Sequence, residues 1–157
     1  MARRRKPSEP SKRARKIEPR PEVFVDASFL IPLFEPGHPN HNEAVRWLHY
    51  YAKRSVLTTT IVLAESCDHE PSPHRLQQLG AFMHLVDADP YSLICEVDTS
   101  LVETVRMARQ QEPTWRSGLS DCISYVVMRH FGVTEALTAD RHFEEPGFRV
   151  MFQERAP

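Results

Sequence analysis

Nowhere does the sequence run to about 18 consecutive apolar residues, so no segment reads as a membrane-spanning helix. No apolar stretch follows the basic N-terminus in the manner of a secretory leader, and none is expected. Cysteine is scarce. Cys67, Cys95 and Cys122 are odd in number and widely spaced, with no Cys-x-x-Cys pair. That spacing argues against a zinc site or a disulfide framework. It points instead to reduced thiols, held in the core or on helices, of a cytoplasmic protein. There is no internal repeat.

What is present suits one domain of 157 residues, long enough to bury a sizeable core. The formal charge of −1 hides an asymmetry. Residues 1–22 carry nine Lys or Arg against Glu9, Glu18 and Glu22, a net of +6, which leaves −7 on the remainder. A cationic, proline-broken tail without apolar periodicity does not fold by itself. Residues 1–22 are therefore expected to be a disordered basic tail, an extension without an essential role or one able to hold a polyanion weakly. Residues 23–157 are expected to form the folded domain.

Within that domain, strand and helix patterns alternate. Val23-Phe24-Val25 is a short apolar run ending in Asp26, the signature of a buried strand. A short helix follows from Ser28 to Phe34, broken by Pro36 and Gly37. A helix over 40–54 sets Ala44, Val45, Leu48 and Tyr51 on one face, with Trp47 at a core position. Val56 to Thr59 is a β-branched second strand. A helix from Ile61 to Cys67 follows, capped by Thr59 or Thr60. Pro71 and Pro73 open a helix over Leu76 to Leu85, and Tyr91 to Val97 is a third strand. Asp98 and Thr99 cap a helix to Gln110, with Glu103 at the capping-box place. Ser120 caps a helix from Asp121 to Phe131 that Gly132 ends. Glu135 to Thr138 and Phe148 to Phe152 complete four to five strands. This alternation predicts an α/β fold, a three-layer α/β/α sandwich around a mostly parallel sheet. Its ligand crevice should lie at the carboxyl ends of the strands.

Four acids fall at that edge: Asp26 after strand one, Glu65 in the helix after strand two, Asp121 in a helix first turn, and Asp140 after strand four. Singly, each is also what a turn, a cap or a solvated helix face would hold. Glu65 is the hardest to explain that way, because it interrupts the apolar run Ile61-Val62-Leu63-Ala64, and a burial-prone acid needs a partner. Crowded carboxylates repel, at about 4 kcal/mol per close pair for an effective dielectric near 20. A hard divalent ion relieves that cost and prefers oxygen ligands. A histidine pair acting as acid and base finds no persuasive placement among the eight histidines. His142 reads as a turn or surface residue, and Trp115 as a packing residue.

Four segments carry a resemblance in order: Val25-Asp26-Ala27-Ser28-Phe29-Leu30; Thr58-Thr59-Thr60-Ile61-Val62-Leu63-Ala64-Glu65; Leu119-Ser120-Asp121-Cys122-Ile123-Ser124; and Ala136-Leu137-Thr138-Ala139-Asp140-Arg141-His142-Phe143. With these the chain resembles a PIN domain, and within that family the VapC-type toxin ribonucleases, from about Val23 to Phe152. The resemblance implies a Mg²⁺- or Mn²⁺-dependent endoribonuclease in which a divalent ion activates water against an RNA phosphodiester. Asp26, Glu65, Asp121 and Asp140 would be the metal-binding and catalytic acids, and Ser28 and Thr138 hydroxyl neighbours. It also implies a cognate antitoxin and a homodimer. An RNA-processing nuclease without a toxin role, a non-catalytic RNA- or protein-binding module, and a phosphatase or DNA nuclease are the competing expectations. The basic tail lies outside the family pattern.

Overall fold

A computed structural model describes residues 18–68 and 72–153. The tail as far as residue 17, and Pro71, lie outside the described residues. The elements run β1 (Val23–Val25), α1 (Ala27–Phe34), α2 (His41–Tyr51), β2 (Val56–Thr59), α3 (Thr60–Asp68), α4 (Pro73–Ala88), β3 (Leu93–Cys95), α5 (Thr99–Gln111), α6 (Leu119–Phe131), β4 (Glu135–Leu137), a 3₁₀ turn (Arg141–Glu144) and β5 (Arg149–Val150).

All strands are parallel, in the order β3-β2-β1-β4-β5. β1 is central and every residue in it is buried, as its unbroken apolar run requires. From β1 the chain steps one way to β2 and β3, then crosses back past β1 to β4 and β5. Right-handed crossovers put the helices of the two directions on opposite faces of the sheet. The packing agrees: α1 touches α2, α3 and α4, while α5 packs on α6. The predicted three-layer α/β fold is therefore present. The strand order reverses between β1 and β4, and the crevice of an open parallel sheet forms where it does so.

The core runs through both layers. Phe24, Phe29, Trp47, Tyr125 and Phe143 are its largest fully buried side chains. Trp115 packs as expected, 3% exposed and edge-on to Tyr125 at 5.3 Å. Cys67 and Cys122 are buried free thiols on helices and Cys95 is a half-buried one on β3. Among the described residues no helix is long and apolar enough to cross a membrane.

Several boundaries differ from expectation, each for a local reason. The helix expected over Leu76–Leu85 begins at Pro73, because Ser72 caps it by accepting from the Arg75 N–H at 3.1 Å and proline suits the first helical position. Glu103 is not in a capping box. Asp98 alone caps α5, accepting from the Leu101 N–H at 2.8 Å, and Glu103 instead pairs with Arg106. Ser120 is not the cap of α6. Gly118 holds that place, which makes Asp121 the third helical residue. β3 and β5, expected over Tyr91–Val97 and Phe148–Phe152, are shorter, since each is an edge strand paired on one side only. Gly132 ends α6 as predicted, at φ 68° in the left-handed region.

Candidate active site

Asp26 is 6% exposed and caps α1 directly beyond β1. A buried carboxylate must be satisfied, and its Oδ2 accepts three hydrogen bonds: from the Ser28 N–H at 3.2 Å, the Ser28 hydroxyl at 2.6 Å and the Thr138 hydroxyl at 2.8 Å. Ser28 Oγ in turn accepts from the Ala139 N–H at 2.9 Å, and Thr138 Oγ1 from the Asp140 N–H at 3.0 Å. The two expected hydroxyl neighbours thus splice the end of β1 to the end of β4, across the point where the strand order reverses. This also explains why β4 stops at Leu137: Thr138 turns into the splice.

Asp140 caps the 3₁₀ turn. Its Oδ1 accepts from the His142 N–H at 2.9 Å and lies 2.8 Å from His142 Nδ1. That contact favours the charged imidazole and raises its pKa. Asp121 projects from the first turn of α6. Its carboxyl is pushed up from 3.8 to about 6, by burial first and then by the charges of Asp26, Asp140 and Glu65. Glu65 on α3 is also raised, by burial and by Asp26 and Asp68, against the hydrogen bond of Ser120. The four predicted acids therefore act on one another at a single edge of the sheet, with Asp121 feeling the other three. Among the described residues no Lys or Arg pairs with any of the four.

Among the same residues no group of three or more His, Cys, Asp or Glu side chains is spaced to chelate an ion. Carboxylates that repel one another settle apart. The donor chemistry, oxygen only and with no Lys or Arg countercharge, nevertheless fits a hard divalent cation. A cavity of about 510 Å³ lies elsewhere, lined by Ser55, Val56, Leu85, Tyr91 and Ser92 at the amino ends of β2 and β3. It shares no residue with the acid cluster.

Sequence reasoning missed two supports. Ser120 lies near Glu65, where it lowers the carboxyl pKa against the effect of burial, rather than capping the helix, a place its neighbour Asp121 could have suggested. Gln153 braces the loop after β4, donating to the Ala139 carbonyl at 2.6 Å and accepting from Arg141 Nε at 2.7 Å. No local pattern signals a contact so far along the chain.

The raised Asp121 carboxyl has a consequence for stability. A group that holds its proton more tightly folded than unfolded makes the fold less stable as pH rises from about 4 through about 6. The shift sets a ceiling of roughly 3 kcal/mol, which solvent screening at this half-buried site reduces to on the order of 1 kcal/mol. In EDTA, Asp121→Asn is expected to be the more stable protein at pH 7.5, with the gap closing by pH 4.5. Urea unfolding at the two pH values measures this, and a gap independent of pH contradicts it.

A fold that reverses its strand order beside four mutually repelling acids is that of a PIN domain. The PIN domain family profile matches residues 23–149, and the chain belongs to that family. Among solved structures, VapC20 of Mycobacterium tuberculosis, described as a sarcin-ricin loop cleaving toxin, is 23% identical, with a TM-score of 0.68 over 83% of this chain and 98% of that one. FitAcB of Neisseria gonorrhoeae is 15% identical, with a TM-score of 0.57 over 82% of this chain and 96% of that one. FitAB bound to an IR36 DNA fragment is 16% identical, with a TM-score of 0.58 over 82% and 93%. At these identities the likeness is one of fold. No curated protein sequence matches the chain.

Proposed function

We propose that this PIN domain is a Mg²⁺- or Mn²⁺-dependent endoribonuclease acting in the cytoplasm as the toxin of a toxin–antitoxin pair. The observation that carries the reading is the convergence of Asp26, Glu65, Asp121 and Asp140 at the strand-order reversal, with the Asp121 carboxyl pushed to about 6 by its neighbours. Membership of the PIN family supports it, as does the fold shared with a toxin described as cleaving the sarcin-ricin loop.

The four acids would hold the ion. When bound, it supplies charge neutralisation at the scissile phosphate and a water of lowered pKa. Ser28 and Thr138 keep the Asp26 carboxylate oriented, through hydroxyls that are themselves fixed by the backbone N–H groups of Ala139 and Asp140. No side-chain nucleophile is required: the water oxygen bonds to phosphorus and loses a proton, the P–O3′ bond breaks, and the departing 3′-oxygen takes up a proton, leaving a 5′-phosphate and a 3′-hydroxyl. The nuclease domain takes in residues 20–22 of the expected tail, since the Arg20 N–H donates to the Tyr91 carbonyl at 2.9 Å and the Glu22 N–H to the Ser55 carbonyl at 2.8 Å; the positive charge of the residues before them would add weak affinity for a polyanion. An antitoxin would silence the site by laying an arginine onto the acids, since guanidinium pairs with carboxylates bidentately. The toxin acts as a homodimer.

The test is a substrate panel in Mn²⁺ with the full chain: single-stranded RNA, the matching DNA, and a phosphomonoester. Internal cleavage of RNA alone, leaving 5′-phosphate ends, is expected. Turnover of the phosphomonoester or of DNA in preference to RNA would overturn the reading.

A further inference from the structure

His142 stands beside the acid cluster and has no part in holding Asp26, Glu65 or Asp121. It lies on the 3₁₀ turn with its side chain 56% exposed. Its backbone N–H and its ring Nδ1 both meet Asp140 Oδ1, at 2.9 and 2.8 Å. An ionised carboxylate only accepts, so Nδ1 carries a proton and the ring is pinned by that contact. Nε2 is then the unengaged ring atom: no hydrogen bond to it occurs among the described residues. It sits on the far side of the ring, one imidazole width beyond the Asp140 carboxylate. Its contact with Asp140 Oδ1 sets the ring beside that member of the cluster. Its loop is braced as well, because Gln153 ties together Ala139 and Arg141 on either side of Asp140.

We infer that His142 is a specificity-determining residue, its Nε2 pairing with the ribose 2′-hydroxyl of the nucleotide beside the scissile phosphate. The inference rests on the nuclease reading above. A phosphate oxygen only accepts, so it meets Nε2 in the charged ring that the Asp140 contact favours but not in the neutral one. A hydroxyl both donates and accepts, and it pairs with Nε2 in either state of the ring. The 2′-hydroxyl is also the group by which a protein tells RNA from DNA at a given site. A site that offers it a fixed partner penalises the strand that lacks it.

The experiment compares initial rates in Mn²⁺ on one RNA oligonucleotide and on versions carrying a single 2′-deoxy nucleotide at each position flanking the cut. Wild-type protein is expected to cut one deoxy version roughly 10-fold more slowly, the size of one partly exposed hydrogen bond. His142→Asn keeps an amide against Asp140 but has no outward nitrogen, and its ribo-to-deoxy ratio should collapse to about one at that position. His142→Gln extends an amide to the place of Nε2 and should keep part of the ratio. If His142 only positioned Asp140, the Asn variant would be rescued, the Gln variant would be slow on every substrate, and the ratio would not move; that result overturns the inference.

A second readout needs no turnover. In EDTA, fluorescence anisotropy should give a tighter Kd for the ribo than for the deoxy strand in wild-type protein, and equal values in His142→Asn. A His142-dependent binding preference without any cleavage would sink the nuclease reading and leave only the pairing of His142 with a 2′-hydroxyl. RNA cleavage indifferent to every 2′-deoxy substitution would do the reverse. Neither binding nor cleavage would end both.

Discussion

Asp26→Asn should cleave RNA on the order of 10²–10³-fold more slowly than wild-type protein while folding as well. The two halves of that expectation have separate origins. Asparagine has nearly the shape of aspartate and is as good a helix cap. Its side-chain oxygen can still accept from the Ser28 N–H and from the Ser28 and Thr138 hydroxyls that now surround Asp26 Oδ2. What is lost is one negative charge, at the most buried of the four acids. A charge placed to hold a cation against a phosphodiester acts on the transition state and hardly at all on the fold. Single-turnover rates and urea midpoints, measured on the same preparations, check both halves. Cleavage at the wild-type rate removes Asp26 from the machinery, and a variant that loses activity only by unfolding makes its role structural.

Phe143→Ala should cost about 3–5 kcal/mol of stability, the usual range for emptying a buried aromatic site. Phe143 is fully buried and meets Phe24 of β1 at 6.0 Å and Tyr125 of α6 edge-on at 5.0 Å between ring centroids. It is also the anchor of the 3₁₀ turn that Asp140 caps and that carries His142. Removing the ring opens a cavity where β1, α6 and the turn meet, so the positions of Asp140 and Asp121 loosen together. The measurement is equilibrium denaturation with activity assayed far below the midpoint. The expected result is a large loss of stability with slower cleavage even where the protein is folded. A loss below about 1 kcal/mol would show that the turn is not anchored by this ring.

Much of this was legible in the sequence because the strongest signals are local. The unbroken run Val23-Phe24-Val25 fixed the central strand, and Gly132 fixed the end of α6. The acids could be assigned to one edge because parallel strands carry their crevice at their carboxyl ends. The less legible features depend on partners distant in the chain. Whether Ser120 or Gly118 caps α6 turns on where Asp121 sits in the first turn, and Ser120 then lies near Glu65 on another helix. The edge strands β3 and β5 read as longer than they are, since β-propensity does not report that a strand lacks a second neighbour. The splice of Ser28 to Thr138 spans 110 residues. Sequence order brought both hydroxyls to the site, but only the fold shows that they share one carboxylate oxygen.

The central claim is that the four acids work through a divalent ion on RNA. Its most direct test is to strip the full chain with EDTA and follow cleavage of an end-labelled single-stranded RNA while Mn²⁺ or Mg²⁺ is added back. The account predicts no cleavage in excess EDTA and a saturable return of cleavage with either ion. Undiminished cleavage in excess EDTA would contradict it.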